Sequence, residues 1–434
     1  MTIHRTETAP SNASLDDLWL DPNAEPAPAG EVDDQQIRDV VIDQLVAGQN
    51  VTLDKSPTQI KINSTAGTGN VSSTGQKYLI PLRSEFSPSL NAQAVRDGTR
   101  IAHSQGRDCE FPPGLFMCDH NPFLPDGNMP RMSWWGQGAG HTRLRFPDTS
   151  TEKWWYKDDA AIRLHYVSWH HMSLEAGPRD SKEQRLKYYP QAKGFRFQGQ
   201  PEQKFIFDNV DIANLATVLE LKGDNNASEV TWSDCEWYSI FDNGIVFDNH
   251  QALNIGFRNS HVEGMFGNCF NFINADRPVW GGGGAITIQG GNFLIQHYAE
   301  HQGVMFNIDA HCSATILVQT RVEVRDDAML VRQSGSNPCN IVFHGGSAYT
   351  TYTTGDVKVC DIGAGARVTH DNWVMENNGS RPTWRVRSGG LLRYIDSPVR
   401  GDLKECITVE SGGRAEGRNN AVRYTNAAYP DFTK

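Results

Sequence analysis

The strongest constraint on this chain is a short phrase that returns again and again between Phe205 and Tyr349. Apolar and polar residues alternate in Phe205-Ile206-Phe207-Asp208-Asn209, then in Val230-Thr231-Trp232-Ser233-Asp234 and Ile255-Gly256-Phe257-Arg258-Asn259. The phrase continues as Ile286-Thr287-Ile288-Gln289-Gly290, Ile316-Leu317-Val318-Gln319-Thr320 and Ile341-Val342-Phe343-His344-Gly345. The anchors Phe207, Trp232 and Phe257 stand 25 residues apart, and the next spacings, to Ile288, Val318 and Phe343, are 31, 30 and 25. A fixed period of this size, with loops let into some copies, is the signature of a solenoid. Each copy holds a second alternating segment: Leu219-Glu220-Leu221, Ile245-Val246-Phe247, Phe270-Asn271-Phe272, Phe306-Asn307-Ile308, Met329-Leu330-Val331 and Val357-Lys358-Val359. Period-two burial means strands, and the spacing of three and four that helices need is missing. Short strands parted by Gly, Asn and Asp predict an all-β chain, a single-stranded right-handed parallel β-helix.

A solenoid can take up most of the 434 residues as one body. The net charge of −11 argues against a nucleic-acid surface, which needs clustered Lys and Arg. No run approaches the roughly 18 apolar residues of a membrane span, and Met1 to Pro10 lacks the apolar core of a secretion signal. Synthesis in a cytosol is therefore expected. The eight cysteines form no CxxC pair and predict buried free thiols.

The chain divides into three stretches. Residues 1–85 begin with a tail-like Pro- and Ala-rich segment, followed by a short helix over Glu31 to Leu45. A β-hairpin is predicted around Asp54 to Gln59, and a Gly/Ser/Thr linker over Ala66 to Gly75. Residues 86–418 open with Ser87-Pro88-Ser89, a hydroxyl cap and first-turn proline that start a helix reaching about His103. Next come Cys109-Glu110-Phe111-Pro112-Pro113-Gly114-Leu115-Phe116 and Gly136-Gln137-Gly138-Ala139-Gly140-His141-Thr142-Arg143-Leu144, and then the coils. Residues 419–434 are a short polar end. Helix, FPPG strand and GQGAGxTxL turn, in that order, resemble the entrance to pectate-lyase-like β-helices, phage tailspikes above all. The hairpin resembles a small β element of phage tail proteins. The resemblance implies that the helix caps the open solenoid end, that the protein is a parallel homotrimer, and that a depolymerase activity is within reach. It also departs from many tailspikes, because no large C-terminal trimerisation domain is apparent.

Parity picks the side chains that chemistry could use. With Phe207, Trp232 and Phe257 inward, Asn209, Asp234 and Asn259 fall at the next turn, where stacked amides suit an internal hydrogen-bond ladder better than catalysis. Asp211, Glu236 and His261 then form an outward column flanked by Tyr238 and Glu263. Glycan cleavage needs paired acids. Asp211 and Glu236 are expected on neighbouring strands about 5 Å apart, and Glu236 and Glu263 about 8 Å apart, the spacing of inverting hydrolysis. Asp211, Glu236 and Glu263 are thus the catalytic candidates, against the plainer reading of a solvated acidic face. His261, Tyr238, Trp154, Trp155 and Trp280 are the substrate-binding candidates, since flat aromatic faces stack on sugar rings; Trp134, Trp135, Tyr188 and Tyr189 belong to the same wider set. His297-Tyr298-Ala299-Glu300-His301 matches a zinc-peptidase pattern that works only on a helix, and Gly136 to Gly140 lacks the following helix of a dinucleotide loop, so neither a metal nor another cofactor is expected.

These readings converge on a phage tailspike or tail fibre in the virion tail. Residues 1–85 would attach to tail or adaptor proteins, and the β-helix would meet a bacterial capsule, exopolysaccharide or lipopolysaccharide. No nucleic acid and no membrane insertion enter this picture. Two rivals share the scaffold: a binding-only virion protein, and a free polysaccharide lyase, against which stand the absent export signal and the absent Ca²⁺-ligand cluster.

Overall fold

A computed structural model describes residues 77–418 apart from short internal segments, together with Ile3–Arg5, Leu18–Leu20, Val51–Ser56 and Gln59–Ser64. The expected helix over Glu31 to Leu45, the linker and residues 419–434 lie outside the described residues. The chain separates into two compact units, Met1–Gln76 and Lys77–Lys434. In the first unit Val51–Ser56 and Gln59–Ser64 pair antiparallel, with Ser56 opposite Gln59, so the hairpin forms where the alternation placed it. Ile3–Arg5 and Leu18–Leu20 form a separate parallel pair.

The second unit is a parallel β-solenoid of about ten turns. One coil shows the plan: Ala227–Ser233, a corner, Glu236–Ile240, a second corner, and Asn243–Asp248. Each strand pairs in parallel with its counterparts in the coils before and after, which builds a first, a second and a third stack. The third stack runs through ten strands, from Lys153–Lys157 to Ile407–Val409. Strand Tyr78–Leu79 already pairs with Cys109–Glu110, ahead of the first full coil.

The lumen is filled by a ladder of rings. Phe207 stacks on Trp232 with centroids 3.8 Å apart and planes 5° apart, and Trp232 stacks on Phe257 at 6.1 Å and 11°. Upstream the ladder continues through Trp169 and Trp134, and downstream through Ile288, Leu317, Phe343, His370 and Tyr394, all in register and all buried. Leu317, rather than the expected Val318, takes the inward place in its coil.

The corner after the first strand corrects one expectation. Asn209, Asp234 and Asn259 stand in the left-handed region, with φ of 51°, 52° and 48°, as do Gln319, Asn372 and Asp396 at 51°, 49° and 47°. Asn and Asp recur here because they tolerate that backbone best after glycine. The internal hydrogen-bond ladder lies one residue further on. Ser260 Oγ is 3.2 Å from the Trp232 carbonyl oxygen and accepts the Cys235 N–H at 3.3 Å, and Ser397 Oγ accepts the Trp373 N–H at 3.0 Å. Small buried hydroxyls can follow the backbone into the corner, and of the expected amide ladder one rung forms, between Asn209 Nδ2 and His171 Nδ1 of the coil before it at 2.9 Å.

The helix Pro88–Ser104 covers the N-terminal end of the solenoid, as predicted. Ser87 Oγ accepts the Leu90 N–H at 3.3 Å, and Pro88 fills the first turn, where a missing N–H costs nothing. Its buried Thr99 accepts the indole N–H of Trp134 at 2.9 Å, satisfying the first Trp of the ring ladder. Within the GQGAG turn, a Cβ at Gly136 would lie 2.1 Å from the His171 carbonyl oxygen, so only glycine fits that crossing. The described cysteines are free and buried, with Cys406 outside the described residues.

Candidate functional site

The second stack carries the acids outward, in the register that parity predicted. Ser173, Asp211, Glu236 and His261 are paired in successive coils, and Tyr238 lies beside Glu263. Inward neighbours Ile212, Trp237 and Val262 are buried and hold the strand flat, so the intervening residues are turned to the outside. Asp211 is mostly buried, Glu236 and Tyr238 are half-buried, and His261 and Glu263 are exposed.

Electrostatics separates these acids. Asp211 pairs with Arg179, whose Nη2 lies 2.9 Å from Oδ2, and Ser173 Oγ stands 3.3 Å from the same oxygen. Arg179 also approaches Glu175 at 3.4 Å and places its guanidinium 4.9 Å from the Tyr238 ring centroid. Among the described residues Glu236 has no such partner. Burial, then the nearby charges of Asp211 and Glu263, push its carboxyl above the ordinary range, against a smaller pull from His261 and Arg179. A carboxyl whose proton affinity is raised, beside a carboxylate locked to arginine, is the kind of division of labour that acid catalysis of glycosidic cleavage uses.

Behind the acids lies a cluster that the sequence reading did not assign. Glu175 is fully buried and takes Arg143 through Oε1 at 2.9 Å and Arg145 through Oε2 at 2.8 Å. The same parity applied one coil earlier, to Thr142-Arg143-Leu144-Arg145 and Ser173-Leu174-Glu175, would have found it. From Glu175 the chain leaves the solenoid in a charged excursion. Its helix Lys182–Arg185 is closed by a Ser181/Gln184 capping box, and Asn214 Nδ2 donates to the Gln184 carbonyl at 2.7 Å. At the far end Tyr188 donates to Asp242, with its hydroxyl 2.8 and 2.9 Å from the two oxygens. The excursion is thus pinned by Arg179 at one end and Tyr188 at the other, against the coils that bear Asp211, Glu236 and Tyr238.

The aromatic candidates fare differently. Trp154 and Trp155 are completely buried and cannot stack on a sugar. Trp155 packs inward on Phe146 at 4.0 Å, while Trp154 is roofed by Lys157, Lys193 and Arg196, whose charges sit 5.6, 5.0 and 4.4 Å from its ring. Trp134 and Tyr189 are buried too, and Trp135 is sandwiched between His170 at 3.8 Å and Lys77 at 3.8 Å. Trp280 lies outside the described residues. Tyr238 and His261 remain beside the acids. His297 to His301 is a loop closed by a Tyr298–His301 bridge, not a helix, and His301 Nδ1 faces Asp242 at 3.8 Å. Among the described residues no group of three or more His, Cys, Asp or Glu side chains is placed to hold a metal ion.

No family model and no curated protein matches the sequence. Among solved structures, the Agl-KA catalytic domain superposes with a TM-score of 0.50 at 11% identity, covering 84% of this chain and 68% of that one. PfbA, a surface adhesin of Streptococcus pneumoniae, gives 0.48 at 9% identity over 80% of this chain and 91% of its own. The pre-mature gene product 12 of bacteriophage phi29 gives 0.41 at 11% identity, over 80% and 56%. At such identities the likeness is one of fold, the β-helix.

Proposed function

We propose that this protein is a phage tailspike that binds a bacterial surface polysaccharide and hydrolyses it on the second stack. Glu236 acts as the proton donor to the leaving oxygen, and the exposed Glu263, one strand over and two residues along at about 8 Å, activates water. Burial and then the charge of Asp211, itself tied to Arg179, raise the proton affinity of Glu236, and Tyr238 and His261 border the sugar. The observation that supports this reading is the unequal environment of the three carboxylates on one rigid outward face. The entrance motifs support placement in a virion tail, with residues 1–85 as the attachment segment and a homotrimer as the assembled state.

The test is incubation of purified protein with host capsule or lipopolysaccharide, scoring both new reducing ends and the ultraviolet absorbance of unsaturated uronates. Reducing ends alone, lost in Glu236→Gln and Glu263→Gln, are the expected result. Absorbance would instead mean β-elimination, and binding without either signal would make the protein an adhesin on the same scaffold. Cleavage that survives both substitutions would remove this site. Deleting residues 1–85 should abolish incorporation into particles and leave a folded oligomer.

A further inference from the structure

Arg332 stands on the outward face of the third stack, in the strand Met329–Gln333. Its guanidinium donates from Nε to Asn307 Oδ1 at 2.8 Å, from Nη2 to Asn268 Oδ1 at 3.1 Å and from Nη1 to Gln302 Oε1 at 3.4 Å. These amides are themselves fixed. Asn307 Nδ2 donates to Asn271 Oδ1 at 2.8 Å, and Asn271 Nδ2 to Asn243 Oδ1 at 2.8 Å, so a ladder of side-chain amides climbs the coils and ends on the arginine.

Every bond in that set orients the cation and none neutralises it. Other arginines on the same face are differently served: Arg196 meets Glu220 at 2.5 Å, Arg385 meets Glu410 at 2.6 Å, and Arg387 meets Asp361 at 2.9 Å. The carboxylate whose charge reaches Arg332 is Asp309, and its oxygens are already engaged by Asn307 and Ser334. Burial lowers the proton affinity of Arg332, whereas its carboxylate raises that of Arg385. Withdrawing a cation from water with only the distant charge of an already engaged carboxylate to balance it is costly. Three of its five N–H groups are used among the described residues, leaving one on each terminal nitrogen, the number that a bidentate carboxylate takes up.

We propose that Arg332 is a binding site for a carboxylate carried by an acidic sugar. The proposal rests on the polysaccharide-binding reading above and narrows it to a uronate-containing chain. A carboxylate could also come from a second copy of this protein, but the surroundings favour the sugar. Gln302 brings in the loop that carries Tyr298 and His301, and the floor is made of Asn243, Asn268, Asn271 and Asn307. Amides that exchange hydrogen bonds with hydroxyls suit a glycan, whereas the centre of a subunit interface is apolar.

The experiment follows the melting temperature of the full chain in sodium glucuronate, with glucose, sodium acetate and sodium chloride as parallel arms at equal concentration. Glucuronate should give a saturable rise that the other three do not match, and Glu236→Gln should keep it, which separates this site from the cleavage site. Arg332→Gln should abolish the rise. Arg332→Lys keeps the charge without the planar fork and should weaken apparent affinity at least about tenfold; it also serves if the Gln variant does not fold. A glucuronate response no larger than that of chloride, or one unchanged in both variants, overturns the proposal. An equal response to acetate overturns the assignment to a sugar. A silent glucuronate arm with loss of oligomeric mass in Arg332→Lys gives the carboxylate to another copy and likewise overturns it.

Discussion

His370 offers a quantitative check on the lumen. It occupies a ring position in the ladder, stacked on Phe343 at 4.9 Å and 8° and on Tyr394 at 4.6 Å and 10°. It is fully buried, neither ring nitrogen has a hydrogen-bond partner among the described residues, and burial pushes its pKa from 6.5 down to about 3. Below pH 6.5 the unfolded chain takes a proton here that the folded chain refuses, so stability is intact above that pH and drains away as the pH falls toward 3. At 1.36 kcal/mol per unit the loss is about 2 kcal/mol at pH 5 and about 3 kcal/mol at pH 4. His370→Phe keeps the stacked ring and removes the titration. It also removes one buried N–H without an acceptor, which costs about 1–3 kcal/mol at every pH. The variant should therefore be somewhat more stable at pH 8 and should gain a further advantage of about 2 kcal/mol at pH 5. Coils in a solenoid open locally, so the reading should combine denaturant titration with hydrogen exchange of the strand Ala366–Asp371. Stability curves for the two proteins that run parallel from pH 8 to pH 4 would refute the reasoning, because they would mean that the imidazole finds a partner or water inside the fold.

Three further outcomes follow from the same geometry. Gly136→Ala should destabilise the chain by about 1–3 kcal/mol in a denaturant titration, since the new methyl meets the His171 carbonyl. Glu236→Gln should melt at a higher temperature than the parent at pH 7–8, because burial and two neighbouring carboxylates disfavour the charged form; a lower melting temperature would contradict that raised pKa. Trp154→Leu should lower stability by strand and roof packing alone and leave glycan affinity unchanged, which a binding isotherm on the folded variant decides.

What the sequence made legible was the part governed by repetition. Phe207, Trp232 and Phe257 each report the same burial, so their spacing determines the register, the three outward acids and the direction of Ile212, Trp237 and Val262. Ser87-Pro88 marks the cap just as plainly, because its chemistry is local. The errors fall where a side chain's fate depends on something distant in sequence. Trp154 looked free because most of its cover is distant in sequence: Lys193 and Arg196, from the next coil of the third stack, approach its ring more closely than the neighbouring Lys157 does. Asn209 and its counterparts suggested a continuous ladder because amides often form one; only the step from Asn209 to His171 is seen, and what the corner demands throughout is a backbone shape that Asn and Asp permit. Glu175 lies one coil before the counted repeats began, and the amide scaffold around Arg332 draws on three coils besides its own, which no local pattern announces.

The capping helix precedes the coils in the chain, and this order bears on how the protein can be made. A nascent polypeptide emerging from a ribosome can close the blocked end first, and every later turn then finds a finished strand edge waiting as a template. Growth by that route would be vectorial: at each moment a single open rim would exist, and the segment that seals it would be the next to be synthesised. Such a route keeps long parallel pairings, slow when they must search for one another, within reach of an already ordered neighbour.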